Sequence, residues 1–101
     1  MATINWMVEA ENWLKQIHAY IAQDNLKAAN QVVTDIYRKA QLLERFPEIG
    51  YQYRTEQEGE IRILLYGHYR IAYLIKSRQE IDILGVFHGA MEIKRYLDFS
   101  D

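Results

Sequence analysis

The sequence predicts an α+β fold in the order β-α-α-β-β-β, with an N-terminal strand and an α-helical hairpin packed on one face of a small antiparallel sheet. Three observations carry that expectation. The run Tyr69-Arg70-Ile71-Ala72-Tyr73-Leu74-Ile75 is dense in β-branched and aromatic residues, as strands are. Similar runs flank it, Ile61 to Tyr66 through the Gly67-His68 link and Ile81 to Phe87 after the polar turn Lys76-Ser77-Arg78-Gln79, so the three form a meander. Ahead of them, two stretches repeat apolar residues at helical spacing.

In chain order, Ala2 to Val8 alternates Ile4, Trp6 and Val8 against Thr3, Asn5 and Met7, which reads as a short opening strand. From Glu9 the period changes, and Ala10, Trp13, Leu14, Ile17 and Ile21 make one helical stripe. Asp24-Asn25 interrupts it and offers an N-cap to the next helix, whose stripe is Ala29, Val32, Val33, Ile36, Ala40 and Leu43. So short a connection makes the two helices antiparallel. Phe46-Pro47 ends the second helix, because a residue before proline is pushed out of the helical region, and Glu48-Ile49-Gly50 turns the chain. Tyr51 to Gly59 is polar and acidic without a period and reads as a surface loop. Ala90 to Leu97 fits either a short helix or a last strand.

Alternation assigns the faces of the meander. If Gly67-His68 is a two-residue turn, Tyr66 faces Tyr69 and Leu64 faces Ile71, so Arg62, Leu64, Tyr66, Tyr69, Ile71, Tyr73 and Ile75 share one face. Ile61, Ile63, Leu65, Arg70, Ala72 and Leu74 share the other. Neither face is polar, and the helices cover only one. The second face is therefore expected to be open and sticky in the lone chain, sealed by self-association, as a homodimer, or by an amphipathic segment of a partner.

The chain has 101 residues, half of them apolar, which suits a single domain over 1–101. No apolar run approaches the roughly 20 residues of a membrane span. No signal peptide is visible and there is no cysteine, so a cytoplasmic location is expected. The net charge of −2 and a pI near 5.9 argue against general nucleic-acid binding. The stretch from Arg62 to Arg95 nevertheless carries six basic residues against three acidic ones. With no Cys, and no His at ligand spacing from Asp or Glu, neither metal nor cofactor is expected. Nucleophile elbows and phosphate-cradling glycine loops are absent.

Several of these pieces, in order, look like a known superfamily. Ile4 with Trp6, Glu9-Ala10, Tyr20 to Asn25, Ala28-Ala29, Phe46-Pro47-Glu48-Ile49-Gly50, Arg62, Tyr69 to Tyr73 and Ile81 to Ala90 resemble the ParE/RelE toxin superfamily over some 90 residues. The resemblance implies the toxin of a bacterial type II toxin–antitoxin system, which arrests growth and is neutralised by a cognate antitoxin. ParE-type members inhibit DNA gyrase, whereas RelE-type members cleave mRNA in the ribosome. Tyr20 to Asn25, Phe46 to Gly50 and the Val86-Phe87-His88-Gly89-Ala90 ending look ParE-like, although Met91 stands where an arginine often follows. Lysines expected along a RelE-type strand are missing, since Ile61, Ile63 and Leu65 are apolar. An inactive, antitoxin-binding relative is a third reading.

Candidate site residues follow from these alternatives. A metal-free ribonuclease must deprotonate a 2′-hydroxyl, stabilise the phosphate and protonate the leaving oxygen. Arg70, which matches the arginine of the family's Tyr-Arg strand, would hold the phosphate, and His88 or Tyr96 would move protons. As contacts to target or antitoxin the candidates are Arg62, Leu65, Arg70, Leu74, His88, Lys94 and Arg95. The plainer readings are an ion pair of Arg62 with Glu58 or Glu60, a strand-end hydrogen bond for His88, and core or hairpin packing for Trp6, Trp13 and Tyr20.

Overall fold

Gly67 takes φ +56°, a conformation that glycine adopts without steric cost. The chain reverses there, and Tyr66 pairs with Tyr69 and Leu64 with Ile71, as alternation predicts. In a computed structural model, whose described residues are 1–89 and Leu97, that hairpin lies within a longer sheet. The elements are β1 (Thr3–Trp6), α1 (Val8–Ala22), α2 (Leu26–Gln41), β2 (Tyr51–Glu56), β3 (Gly59–Tyr66), β4 (Tyr69–Ile75) and β5 (Glu80–His88). The strands run β1-β5-β4-β3-β2 across the sheet.

Two features of that sheet differ from the sequence reading. β1 pairs in parallel with β5, Ile4 beside Ile81 and Trp6 beside Ile83, so the sheet is mixed rather than antiparallel throughout. Tyr51 to Glu56 is a strand and not a loop, antiparallel to β3 at the sheet edge. A register shift between Gln52 and Arg54 inserts Tyr53 as an extra residue. The insertion breaks the two-residue period that would have marked the strand. Gly59 closes this hairpin at φ +152°, where a Cβ would lie 2.0 Å from the Ile75 carbonyl oxygen.

The helices sit close to their expected places. α1 begins at Val8, which is therefore helical and not the end of β1: Met7 N–H still bonds Ile83 C=O at 3.1 Å while its own carbonyl accepts from Glu11 N–H at 3.0 Å. Asn25 caps α2 by accepting from Ala28 N–H at 3.0 Å. α2 ends at Gln41, and a 3₁₀ turn over Leu42–Glu44 carries the chain toward Phe46-Pro47. The hairpin buries Ala10, Leu14, Ile36 and Ala40 against Leu64, Ile71, Tyr73, Ile81, Ile83 and Val86.

The second face is where the expectation of an open surface fails. Ile61, Ile63 and Ala72 are buried together with Phe87 and Leu97, and Tyr53, Leu74 and Leu84 pack around them. Leu97, 1% exposed, is contributed by the C-terminal stretch. Its carbonyl accepts from the Arg54 guanidinium, which also pairs with Glu56. The face is thus closed at its centre from within the chain, and Leu65 alone of the predicted set stands well out of it, at 55% exposure.

Tyr37 couples the two helices. Its hydroxyl donates to the Glu11 carboxylate at 2.9 Å, and its ring lies 4.5 Å from that of Trp6. Burial, reinforced by the bond to Glu11, pushes the phenol up to about 12. The folded state therefore keeps a proton that the unfolded chain releases near pH 10. This contribution is complete below pH 10 and is lost as pH rises toward about 12. Urea midpoints measured across that window should fall less steeply for Tyr37→Phe than for the parent chain.

Candidate functional site

The Tyr66–Tyr69 turn and the end of β5 bring the motif residues of β4 and β5 to one end of the sheet. Arg70 lies between Leu65 on β3 and Phe87 on β5. Its guanidinium donates to the Gly89 carbonyl at 2.9 Å, one residue beyond His88. His88 pairs with Tyr69, and the two rings meet edge to face with centroids 5.7 Å apart. Tyr66 fastens this end to α2 by donating to the Asp35 carboxylate at 2.7 Å. That bond holds the Asp35 carboxyl below its ordinary range and raises the Tyr66 phenol.

β1 ends at Trp6, so beyond Ile83 the neighbour of β5 on that side is α1 rather than a strand. A cavity of about 390 Å³ opens between them, lined by Trp13, Ile17, Tyr20, Tyr69, Val86 and His88. Trp13 stands edge-on to Phe87 at 5.3 Å. Trp6 and Trp13 therefore pack as expected, whereas Tyr20, 75% exposed, lies on the cavity rim and not in the hairpin interior. Helical spacing marked Trp13 and Ile17 as an apolar stripe. It could not show that the sheet beneath the stripe stops short.

The remaining candidates are elsewhere. Arg62 donates to Glu60 at 3.1 Å and to the carbonyls of Glu48 and Gly50 at 3.1 and 2.6 Å. Its side chain is only 16% exposed, so it works as a staple for the loop before β2, including the ion pair with Glu60 foreseen from the sequence. Leu74 pairs with Ile61 at the opposite end of β4 from Arg70. Lys94, Arg95 and Tyr96 lie outside the described residues, as does the choice between helix and strand for residues 90–96. The structure thus brings Leu65, Arg70 and His88 to one end of the sheet, Leu65 and Arg70 on the face of Phe87 and His88 on the face of Tyr69, and leaves Arg62 and Leu74 apart from them.

Chemically, this end of the sheet offers an apolar, aromatic-walled hollow with a histidine on its rim, while the Arg70 guanidinium belongs to the other face of the sheet. Among the described residues, no three His, Asp or Glu side chains cluster as a metal-binding group. No described helix is long and apolar enough to cross a membrane.

Comparison with known proteins gives the fold and the family. The chromosomal ParDE TA system from P. aeruginosa contains a chain similar to this one, with a TM-score of 0.68 and 23% identity, covering 87% of this chain and 96% of that one. At that identity the likeness speaks for the fold. No curated protein matches the chain. Residues 4–93 match the family described as ParE toxin of type II toxin-antitoxin system, parDE, and the chain belongs to that family.

Proposed function

We propose that this protein is the toxin of a type II toxin–antitoxin pair, held inactive by a cognate antitoxin, and that it acts by binding DNA gyrase rather than by cutting RNA. The observation that carries the reading is the environment of β3. Ile61 and Ile63, two of the three positions where a ribonuclease relative would be expected to present lysines, are buried apolar residues. An ammonium placed there would have to be desolvated without a partner. A protein that offers an apolar hollow and an exposed leucine is better suited to gripping a large protein surface than to phosphate chemistry. Leu65, Arg70 and His88 are the contact residues this reading favours.

Induced expression should arrest growth. Co-expression of the small protein encoded by the neighbouring reading frame should relieve the arrest. During arrest a reporter plasmid should lose negative supercoiling while messenger RNA stays intact. Toxin-dependent cuts in ribosome-bound message, abolished by Arg70→Ala, would instead assign the chain to the ribonuclease branch, with Arg70, His88 and Tyr96 as its working residues. Expression without arrest would mark an inactive relative.

A further inference from the structure

We propose that the seam between α1 and α2 holds a binding site for a small monocarboxylate with an apolar body, such as an arylalkanoic or medium-chain fatty acid. The inference stands apart from the gyrase reading and does not depend on it. A hollow of about 330 Å³ opens between the helices, lined by Glu11, Leu14, Lys15, His18, Val33 and Tyr37. That volume is at the low end of the roughly 300–1,000 Å³ of small-molecule sites. On α1 the wall residues Glu11, Lys15 and His18 stand at i, i+4 and i+7, so they share one face. At 1.5 Å of rise per residue the wall is about 10 Å long.

Both ends of the hollow are closed by bonds between the helices. The Tyr37 hydroxyl lies 2.9 and 3.1 Å from the two Glu11 carboxylate oxygens, and its ring is held against Trp6 with centroids 4.5 Å apart. At the other end His18 Nε2 donates to the Asn30 side-chain oxygen at 2.7 Å. Between these ties the floor is apolar, with Leu14 buried and Val33 half-buried. The walls are thus ordered before any ligand arrives, which lowers the cost of binding.

Lys15 selects the ligand. A glutamate four residues ahead of a lysine on a helix ordinarily pairs with it. Here Glu11 is turned to Tyr37, and among the described residues no ion pair includes Lys15. An exposed ammonium therefore stands beside an apolar floor with no anion of its own. A carboxylate suits that place, because charge-assisted hydrogen bonds are the strong ones, and the hydrocarbon it carries would cover Leu14 and Val33. An amine would be repelled by Lys15, and Glu11 on the same wall disfavours a phosphate or a second carboxylate. A neutral alcohol would gain the floor and forgo the ammonium.

The test titrates 3-phenylpropanoate into the full chain, followed by amide chemical shifts and thermal denaturation, with the matching alcohol and amine alongside. One saturable site with a submillimolar Kd is expected, with shifts centred on α1 and α2 around the hollow. The Tm should rise with ligand, because only the folded chain has the site. The alcohol should bind about tenfold more weakly and the amine not at all. Lys15→Met keeps the stem, removes the charge and should bring the acid down to the alcohol's affinity. Val33→Trp should block both ligands. Arg78→Met, which removes a cation from the β4–β5 turn, should bind as the parent does. Circular dichroism of every variant shows that it is folded, and if Val33→Trp is not, Lys15→Met and the alcohol still decide. Absence of a saturable shift up to the solubility of the acid would overturn the site, as would undiminished affinity in Lys15→Met, equal binding of acid and alcohol, or shifts centred on the sheet instead.

Discussion

Tyr73→Ala is expected to lose about 3–5 kcal/mol, the range for deleting a buried aromatic side chain, and to leave the chain at the edge of folding. Tyr73 is fully buried. Its ring fills the core under the helical hairpin, and its hydroxyl works at the margin of that core, donating to the Pro47 carbonyl at 2.6 Å and accepting from Gly50 N–H at 3.0 Å. Desolvation keeps the phenol protonated, raised above its ordinary value. Gly50 has no room for a side chain there, since a Cβ would sit 2.6 Å from the Ile63 carbonyl oxygen and 2.8 Å from the Tyr73 hydroxyl. Tyr73→Phe separates the two roles. It keeps the ring and strips the loop of its two bonds, which should cost about 1–3 kcal/mol. Urea denaturation of the three proteins checks both numbers, and a Tyr73→Phe midpoint equal to the parent's would show that the loop stands without its anchor.

Leu97→Lys is expected to have the second large effect, because it would place an ammonium among Ile61, Ile63, Ala72 and Phe87. Leu97→Ala, which only removes packing, should cost about 2–5 kcal/mol. Leu65→Lys should stay within about 0.5 kcal/mol, as surface changes do, although Leu65 was assigned to the same face by alternation. The contrast between the two lysine variants measures how far the chain seals its own sheet. If Leu97→Lys unfolds at the parent's urea concentration, the face is closed by something other than Leu97.

What the sequence made legible was whatever has a short period or a strong local signal. The β3–β4 register followed from one glycine and the alternation on either side of it. Both helices followed from their stripes, and Asn25 from its place before the second. β2 was hidden because the bulge at Tyr53 cancels its alternation and because an edge strand needs little apolar surface. The parallel pairing of β1 with β5 joins segments some 77 residues apart, Ile4 with Ile81, and no local pattern reports it. The closure of the second face depends on Leu97, whose stretch fitted helix and strand equally well. The same long-range logic governs the site. Arg70 and His88 could be singled out by residue type, but the cavity exists only because β1 stops at Trp6 while β5 continues.

The reading of this ParE-family chain as a gyrase inhibitor is tested most directly by ATP-dependent supercoiling of relaxed plasmid by purified gyrase, with the purified protein titrated in. The account predicts inhibition that saturates in proportion to the amount of gyrase present and is reversed by the cognate antitoxin. Undiminished supercoiling in the presence of excess folded protein would contradict it.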